Sequence, residues 1–545
     1  MEVEHKSNTA WLIAIGVGMF LLYFLTRSQR YDPEVLIELR IINHFQVTPD
    51  PAHPFFVLTG LPVFWLWKTA GYAGDALLPT QLLNAFWSST ALVLFAAFLY
   101  RLIPDRLLST ITILGVGLSY AYWTHTVDSF FIPPTICFSI AALLCAAMIG
   151  EKSKRRDAVN KILPIILGAS IGLAILSYQA SIALIPALMY ASWPPNKQSS
   201  RRRWLLNWCV TGMTALLVAV PILVWQAGHT LELHKFGEIA NWYFNSHGGM
   251  SDGLWRRESG PLWRILPSAW VATILPLYEG MRLRDLIQGH IVPDRLPAQI
   301  GLVLLIMLVF VLIVLWIALW RHSGTRKQLT RIGGIAGLWF LGQGSLVTWF
   351  DAAEVKLWII PMLAFWFFTY TTIGLVRRQT RNWNKAEKMS WALLATTVAA
   401  IAIGNFLVPV WPNHSQPSPE MQAAQLARTR LYNDDLLISA NFDWTLHADY
   451  LRDLYQDNFK VINLIAIAQY NGRSAVRPML FEKIAQTHYL GGHVYMVDYF
   501  SADKQSIWQT WITPYTHLVP NDLNQYSRQV AWEAMGEKVW ELSPR

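Results

Sequence analysis

The sequence predicts an α-helical polytopic membrane protein with about eleven transmembrane helices and a small C-terminal α/β extracytoplasmic domain. Three observations carry this. The 545 residues are 53% hydrophobic and only 14% charged, where a soluble domain has roughly a quarter of its residues charged. Apolar stretches of about 20 residues, the helical length that crosses a bilayer, recur along most of the chain. From Leu431 onward the composition changes to ordinary charge density with short apolar runs. A mean hydropathy of +0.30 also excludes a disordered chain. The net charge of +9 is gathered in short runs between apolar segments, a membrane pattern and not a nucleic-acid footprint, so no nucleic-acid partner is expected. Cys137, Cys145 and Cys209 lie in apolar segments without metal-site or redox-pair spacing, so no disulfide framework is expected.

Spans are expected at 11–26, 82–103, 107–124, 130–149, 162–176, 181–193, 205–225, 300–320, 332–350, 357–376 and 391–411. The first reads as a retained helix: it is long, lacks a small-residue cleavage site and is followed by Arg27 and Arg30. Lys and Arg cluster at 152–161, 197–203, 321–331 and 377–388, with Arg101 and Arg106 as a smaller fifth group. Short basic loops stay cytoplasmic, so an even number of spans must separate them. That parity makes the apolar stretch 55–67, which is short and interrupted by Gly60 and Pro62, an interfacial or re-entrant segment. The expected organisation is a transmembrane domain at 1–411 with outer loops at 27–81 and 226–299, a linker at 412–430 and the extracytoplasmic domain at 431–545.

In the C-terminal domain, 436–440, 461–467 and 494–499 read as buried strands, separated by helical patterns at 446–455 and 475–486. This alternation predicts a partly parallel sheet. No GxGxxG or Walker-type loop accompanies it, so a lid, acceptor-docking or scaffolding role is the default.

The first outer loop carries the chemistry. Tyr31-Asp32-Pro33-Glu34 opens a helical pattern with Val35, Leu36, Leu39 and Ile42 on one face, and Pro51-Ala52-His53-Pro54-Phe55-Phe56 follows. Carboxylates just outside a membrane, backed by an amphipathic helix, suit proton abstraction from a hydroxyl. Asp32 before Pro33 is equally an N-cap with proline at N1, and Glu34 in the first turn suits the helix dipole. Spacing by itself favours the cap. In the long outer loop, Arg256 and Arg257 stand among Trp242, Tyr243, Trp255 and Trp263. Aromatic faces stack on sugars and Arg forks bind phosphate, although interfacial anchoring also explains such residues. Asn84 and Gln343 are the strongest polar entries within spans, and helix–helix hydrogen bonds account for them. The lack of mid-bilayer acids and bases weakens an ion-coupled transporter.

Two further segments share the outer side: Tyr122-Trp123-Thr124-His125-Thr126-Val127-Asp128-Ser129-Phe130, and Asp351-Ala352-Ala353-Glu354-Val355-Lys356-Leu357-Trp358. An acidic pair after the first span, a His-Pro step, a Trp-x-His segment followed by an acid, and a late outer loop resemble the lipid-linked-sugar glycosyltransferases of the GT-C superfamily. The likeness covers roughly residues 1 to 380 in layout. It points to protein O-mannosyltransferase-like and related bacterial polyprenyl-phosphate-sugar glycosyltransferases. Phe55 stands where the family often has a second proline, and Pro33 separates the acidic pair, which leaves open which carboxylate is the base.

The resemblance implies a GT-C-like fold and transfer of a sugar from a polyprenyl-phosphate-sugar donor to a glycan, lipid or protein acceptor. The reaction would face the extracytoplasmic side of a bacterial plasma (inner) membrane. It implies Asp32 as catalytic carboxylate with Glu34 as runner-up, His53 positioning donor or acceptor, Asp128 supporting the site or helping to bind a divalent ion, and Lys356 on the donor phosphate. Arg256 and Arg257 would add substrate contacts. No cofactor is assigned; a divalent metal ion would need the outer acids Asp32, Glu34, Asp128, Asp351 and Glu354 to converge. The competing functions are a transporter or flippase of a lipid-linked glycan and a non-enzymatic membrane scaffold for envelope assembly.

Overall fold

The computed structural model describes residues 2–47, 53–150, 157–194, 198–245, 269–276, 296–351, 355–379, 384–497 and 512–545. All the apolar stretches named above are helical. Among the described residues, seven helices are long and apolar enough to cross a membrane, or eight if Arg106–Gly117 and Tyr120–Val127, bent by 67°, form one span. Lys161–Ser177 and Gln179–Ala191 are apolar but shorter. Ser323–Asp351 is long, and its first turns carry Arg326, Lys327 and Arg331. Length and apolarity alone thus give seven or eight spans, and a count of eleven needs the three weaker helices as well.

The first outer loop folds as its sequence pattern requires. Asp32 is extended, and its side chain accepts a hydrogen bond from the Glu34 amide, capping the helix Pro33–Asn43. Val35, Leu36, Leu39 and Ile42, the face expected from spacing, are fully buried. Each such burial contributes about 1.5–3 kcal/mol relative to exposure. The stretch with Gly60 and Pro62 is a helix, Pro54–Thr69, with Phe56, Val57 and Phe64 buried and Trp65 and Leu66 exposed. Gly60 lets it approach the first-loop helix: a Cβ there would stand 2.6 Å from the end of the Ile42 side chain.

The C-terminal sheet has the order β2-β1-β3-β5-β4. The strands are β1 (Leu436–Ser439), β2 (Lys460–Asn463), β3 (Val494–Val497), β4 (Tyr526–Ala534) and β5 (Glu537–Pro544). β1 pairs in parallel with β2 and β3, while β5 joins β3 and β4 antiparallel. The partly parallel sheet matches expectation, with two corrections. The 461–467 run leaves the sheet early, because the Asn463 side chain caps the helix Leu464–Asn471. The β4–β5 hairpin was not foreseen. It turns on Met535 and Gly536, both with positive φ, which is the two-residue turn geometry that suits strand twist, and Met-Gly is a weak sequence signal for it.

The C-terminal domain grips the first outer loop through the helix Phe442–Tyr455. Arg40 binds Asp449 at 2.7 Å and Asp453 at 2.5 Å, and the Tyr450 hydroxyl donates to Asp75. At the membrane end, the Gln29 amide donates to the Asn413 carbonyl at 2.7 Å, and His414 Nδ1 donates to the Arg27 carbonyl at 2.7 Å. The Arg40 fork is under a third exposed, as are both its partners. A double-mutant cycle pairing Arg40→Ala with Asp453→Asn should therefore report a coupling of about 1–3 kcal/mol in thermal stability. Arg40→Lys should restore only part of it, since one ammonium cannot fork across two carboxylates.

Candidate active site

The site is assembled around the turn that follows Tyr120–Val127. The polar face of the helix Leu77–Leu102 stitches this turn to the first loop. Gln81 Nε2 donates to the carbonyls of Ser28 at 3.0 Å and Val127 at 3.2 Å. Asn84 Nδ2 donates to the carbonyls of Phe130 at 2.7 Å and Asp128 at 3.3 Å, and Ser129 Oγ donates to Thr80 Oγ1 at 2.6 Å. Asn84, explained from sequence as helix–helix glue, is thus a positioning residue for the acidic turn. Gln343 does bridge segments, donating to the Ala180 carbonyl at 3.2 Å.

On this frame Asp128 is buried. Its Oδ2 accepts the Asp32 amide at 2.9 Å and its Oδ1 accepts the Ser129 amide at 2.7 Å. Asp128 therefore fixes the backbone that presents Asp32. Burial pushes the Asp128 carboxyl up to about 7; the two amide bonds pull against this, and the nearby Asp32 charge adds to it. Asp32 Oδ1 is committed to the Glu34 amide at 2.9 Å. Its second oxygen has no hydrogen-bond partner among the described residues. One oxygen caps the helix and the other stays open, so the cap reading and the base reading are compatible.

Glu34 and Lys356 meet at 2.8 Å. Lys356 lies in the short helix Val355–Trp358, is buried, and holds its ammonium 5.1 Å from the Phe130 ring centroid. Phe130 stacks on Phe131, and Phe131 stacks on His53. His53 Nδ1 is 3.2 Å from the Ser177 carbonyl and so must carry the proton of that hydrogen bond. The structure therefore brings together Asp32, Glu34, Asp128 and Lys356 from three distant segments. His53 stands behind two aromatic rings. Arg256, Arg257 and Glu354 lie outside the described residues, as does the Asp351 side chain.

Among the described residues no group of three or more His, Cys, Asp or Glu side chains could hold a metal ion. Asp128, expected to support the site or help bind a divalent ion, gives both oxygens to amides. The Asp351 side chain and Glu354, two of the five acids such an ion would need, lie outside the described residues.

Sequence reasoning missed Arg30 and His447, and it named Phe130 only as the end of the Trp-x-His segment. Arg30 counted only as a charge flanking the first span, yet it is half-buried with an enclosed Nε that has no hydrogen-bond partner among the described residues. The Asp32 charge reaches Asp443 and His447 in the first turns of the C-terminal helix. His447 is buried, and its Nδ1 donates to the Asp443 carbonyl at 2.7 Å. No local motif marks these residues, because their relevance comes from packing between segments far apart in the chain.

Neither a protein-family model nor a curated protein matches this sequence. Solved structures do match. ArnT from Cupriavidus metallidurans bound to undecaprenyl phosphate aligns with TM-score 0.54 and 13% identity over 98% of this chain and 97% of that one. The chain has the GT-C fold. The same ArnT in the apo state aligns with TM-score 0.52 at 14% identity, covering 98% of each chain. The archaeal oligosaccharyltransferase AglB from Archaeoglobus fulgidus, in complex with an inhibitory peptide and a dolichol-phosphate, gives TM-score 0.52 at 14% identity, over 98% of this chain and 74% of that one. Together with its apolar helices, the fold makes this chain an integral, multi-pass membrane protein.

The raised carboxyl of Asp128 has a measurable consequence for the GT-C chain. An unfolded aspartate titrates near about 4, so between there and about 7 the native state keeps a proton that the unfolded state releases. Stability from this group is present below that window and is lost as pH rises through it. The melting temperature of wild type minus that of Asp128→Asn, measured across pH 4 to pH 7, should fall steadily. A flat difference would show that Asp128 titrates normally.

Proposed function

We propose that this protein transfers a sugar from a polyprenyl-phosphate-linked donor to an acceptor on the extracytoplasmic side, with a transmembrane domain at 1–411, a linker at 412–430 and a lid-like extracytoplasmic domain at 431–545. The observation that carries the reading is one helix start that presents an open carboxylate oxygen on Asp32 and, two residues on, Glu34 paired with a buried cation, Lys356. The GT-C fold supports it, and so do the lipid phosphates bound in the ArnT and AglB structures.

In this reading the acceptor hydroxyl gives its proton to the open oxygen of Asp32. The acceptor oxygen bonds to the anomeric carbon as the bond from that carbon to the phosphate oxygen breaks. Positive charge develops on the sugar, and the polyprenyl phosphate departs with the electron pair, its negative charge met by Lys356. Asp128 holds the Asp32 backbone in place throughout. His53, the partly exposed end of the stack it forms with the buried Phe131 and Phe130, positions donor or acceptor. Arg256 and Arg257 supply further contacts from the long outer loop.

The test is transfer of radiolabelled sugar by the purified full-length protein, across a panel of polyprenyl-phosphate donors and of glycan, lipid and peptide acceptors. Transfer from one donor class is the expected result. Absence of transfer from every combination would overturn the reading.

A further inference from the structure

The Glu34–Lys356 pair is asymmetric. The lysine side chain is 8% exposed and the glutamate 45%. Lys356 is largely enclosed at the start of the helix Ile359–Gln379, over the Phe130 ring. Glu34 occupies the first turn of the first-loop helix, where a long flexible side chain can swing into solvent. An incoming anion finds the lysine charge already met by a carboxylate. Of the two partners, Glu34 is the one that can move into solvent, and its departure leaves Lys356 a buried charge that an incoming anion must meet.

We propose that Glu34 is an internal stand-in for phosphate: it holds Lys356 while the site is empty and yields to the phosphate of a lipid-linked ligand, so that the pair gates the phosphate site. This rests on the reading of Lys356 as the phosphate-binding cation, and it gives Glu34 a role different from that of a base. A phosphate offers more charge and more acceptor oxygens than a carboxylate, which favours the exchange. The span that Lys356 precedes brings a phosphate carried at the bilayer surface to the lysine, so the expected ligand is a phosphate on an isoprenoid chain.

Purified full-length protein in detergent is titrated with undecaprenyl phosphate, and separately with inorganic phosphate, as wild type, Glu34→Gln, Lys356→Gln and the double variant. A melting curve for each confirms folding; Glu34→Gln is at a half-exposed position and keeps the helix cap. Glu34→Gln should bind undecaprenyl phosphate about tenfold more tightly than wild type, the scale expected for releasing one partly exposed ion pair. Lys356→Gln should bind about tenfold or more weakly, and the double variant should match Lys356→Gln, because no cation remains to be gated. Inorganic phosphate should bind all four far more weakly. Glu34→Gln binding no better than wild type, with Lys356→Gln impaired, overturns the gate and leaves the phosphate reading intact. Lys356→Gln binding like wild type overturns both. Inorganic phosphate binding as tightly as the lipid overturns the isoprenoid assignment.

Discussion

Asp32→Asn should lower sugar transfer by about 10²–10⁴-fold while leaving the fold intact. The asparagine oxygen accepts the Glu34 amide as the aspartate does now at 2.9 Å, and Asn caps a helix as well as Asp does. The remaining structural cost is the loss of one negative charge at a helix N-terminus, about 0.3–1 kcal/mol. Asp32→Ala separates the two roles further. It removes base and cap together, so activity should fall as in Asp32→Asn and stability should drop by about 1 kcal/mol more. The checks are kcat for transfer and a melting curve on each variant. Full activity in Asp32→Asn would remove this carboxylate from the proton transfer.

Lys356→Met should lower kcat by about 10²–10³-fold, the scale seen when one preorganised group that stabilises developing negative charge is removed. Methionine is unbranched and apolar, so it can fill the space beside Phe130 without forcing the neighbours apart. The half-exposed Glu34 that it leaves behind remains solvated, and replacing a buried ion-pair member by a packed apolar side chain is often neutral when the other charge reaches water. A large activity loss with an unchanged melting temperature is therefore expected. If kcat held while only donor KM rose, Lys356 would bind the donor equally in ground and transition states, and the leaving phosphate would need another cation. Arg30, half-buried and without a hydrogen-bond partner for its Nε among the described residues, is the first to examine.

Much of the architecture was legible because its causes are local. Apolar length marks a membrane helix wherever the chain goes. The Asp32-Pro33-Glu34 cap and the buried face of Val35, Leu36, Leu39 and Ile42 follow from helix periodicity alone. β1, β2 and β3 were readable as short apolar runs. The β4–β5 hairpin was not, since β4 is a largely exposed edge strand and β5 buries only Val539 and Leu542, so neither alternates strongly.

The candidate site divides along the same line. The sequence by itself determined that acids follow the first span, that a lysine precedes a late span, and that both lie in segments between apolar stretches. Only the tertiary structure decided that Lys356 meets Glu34 and not another acid, that Asp128 holds the Asp32 amide, and that His53 sits behind two rings. The physical reason is that helix, cap and span are set by interactions within a few residues. An ion pair between positions 34 and 356 depends instead on how the packing of many helices closes distances that no local spacing encodes.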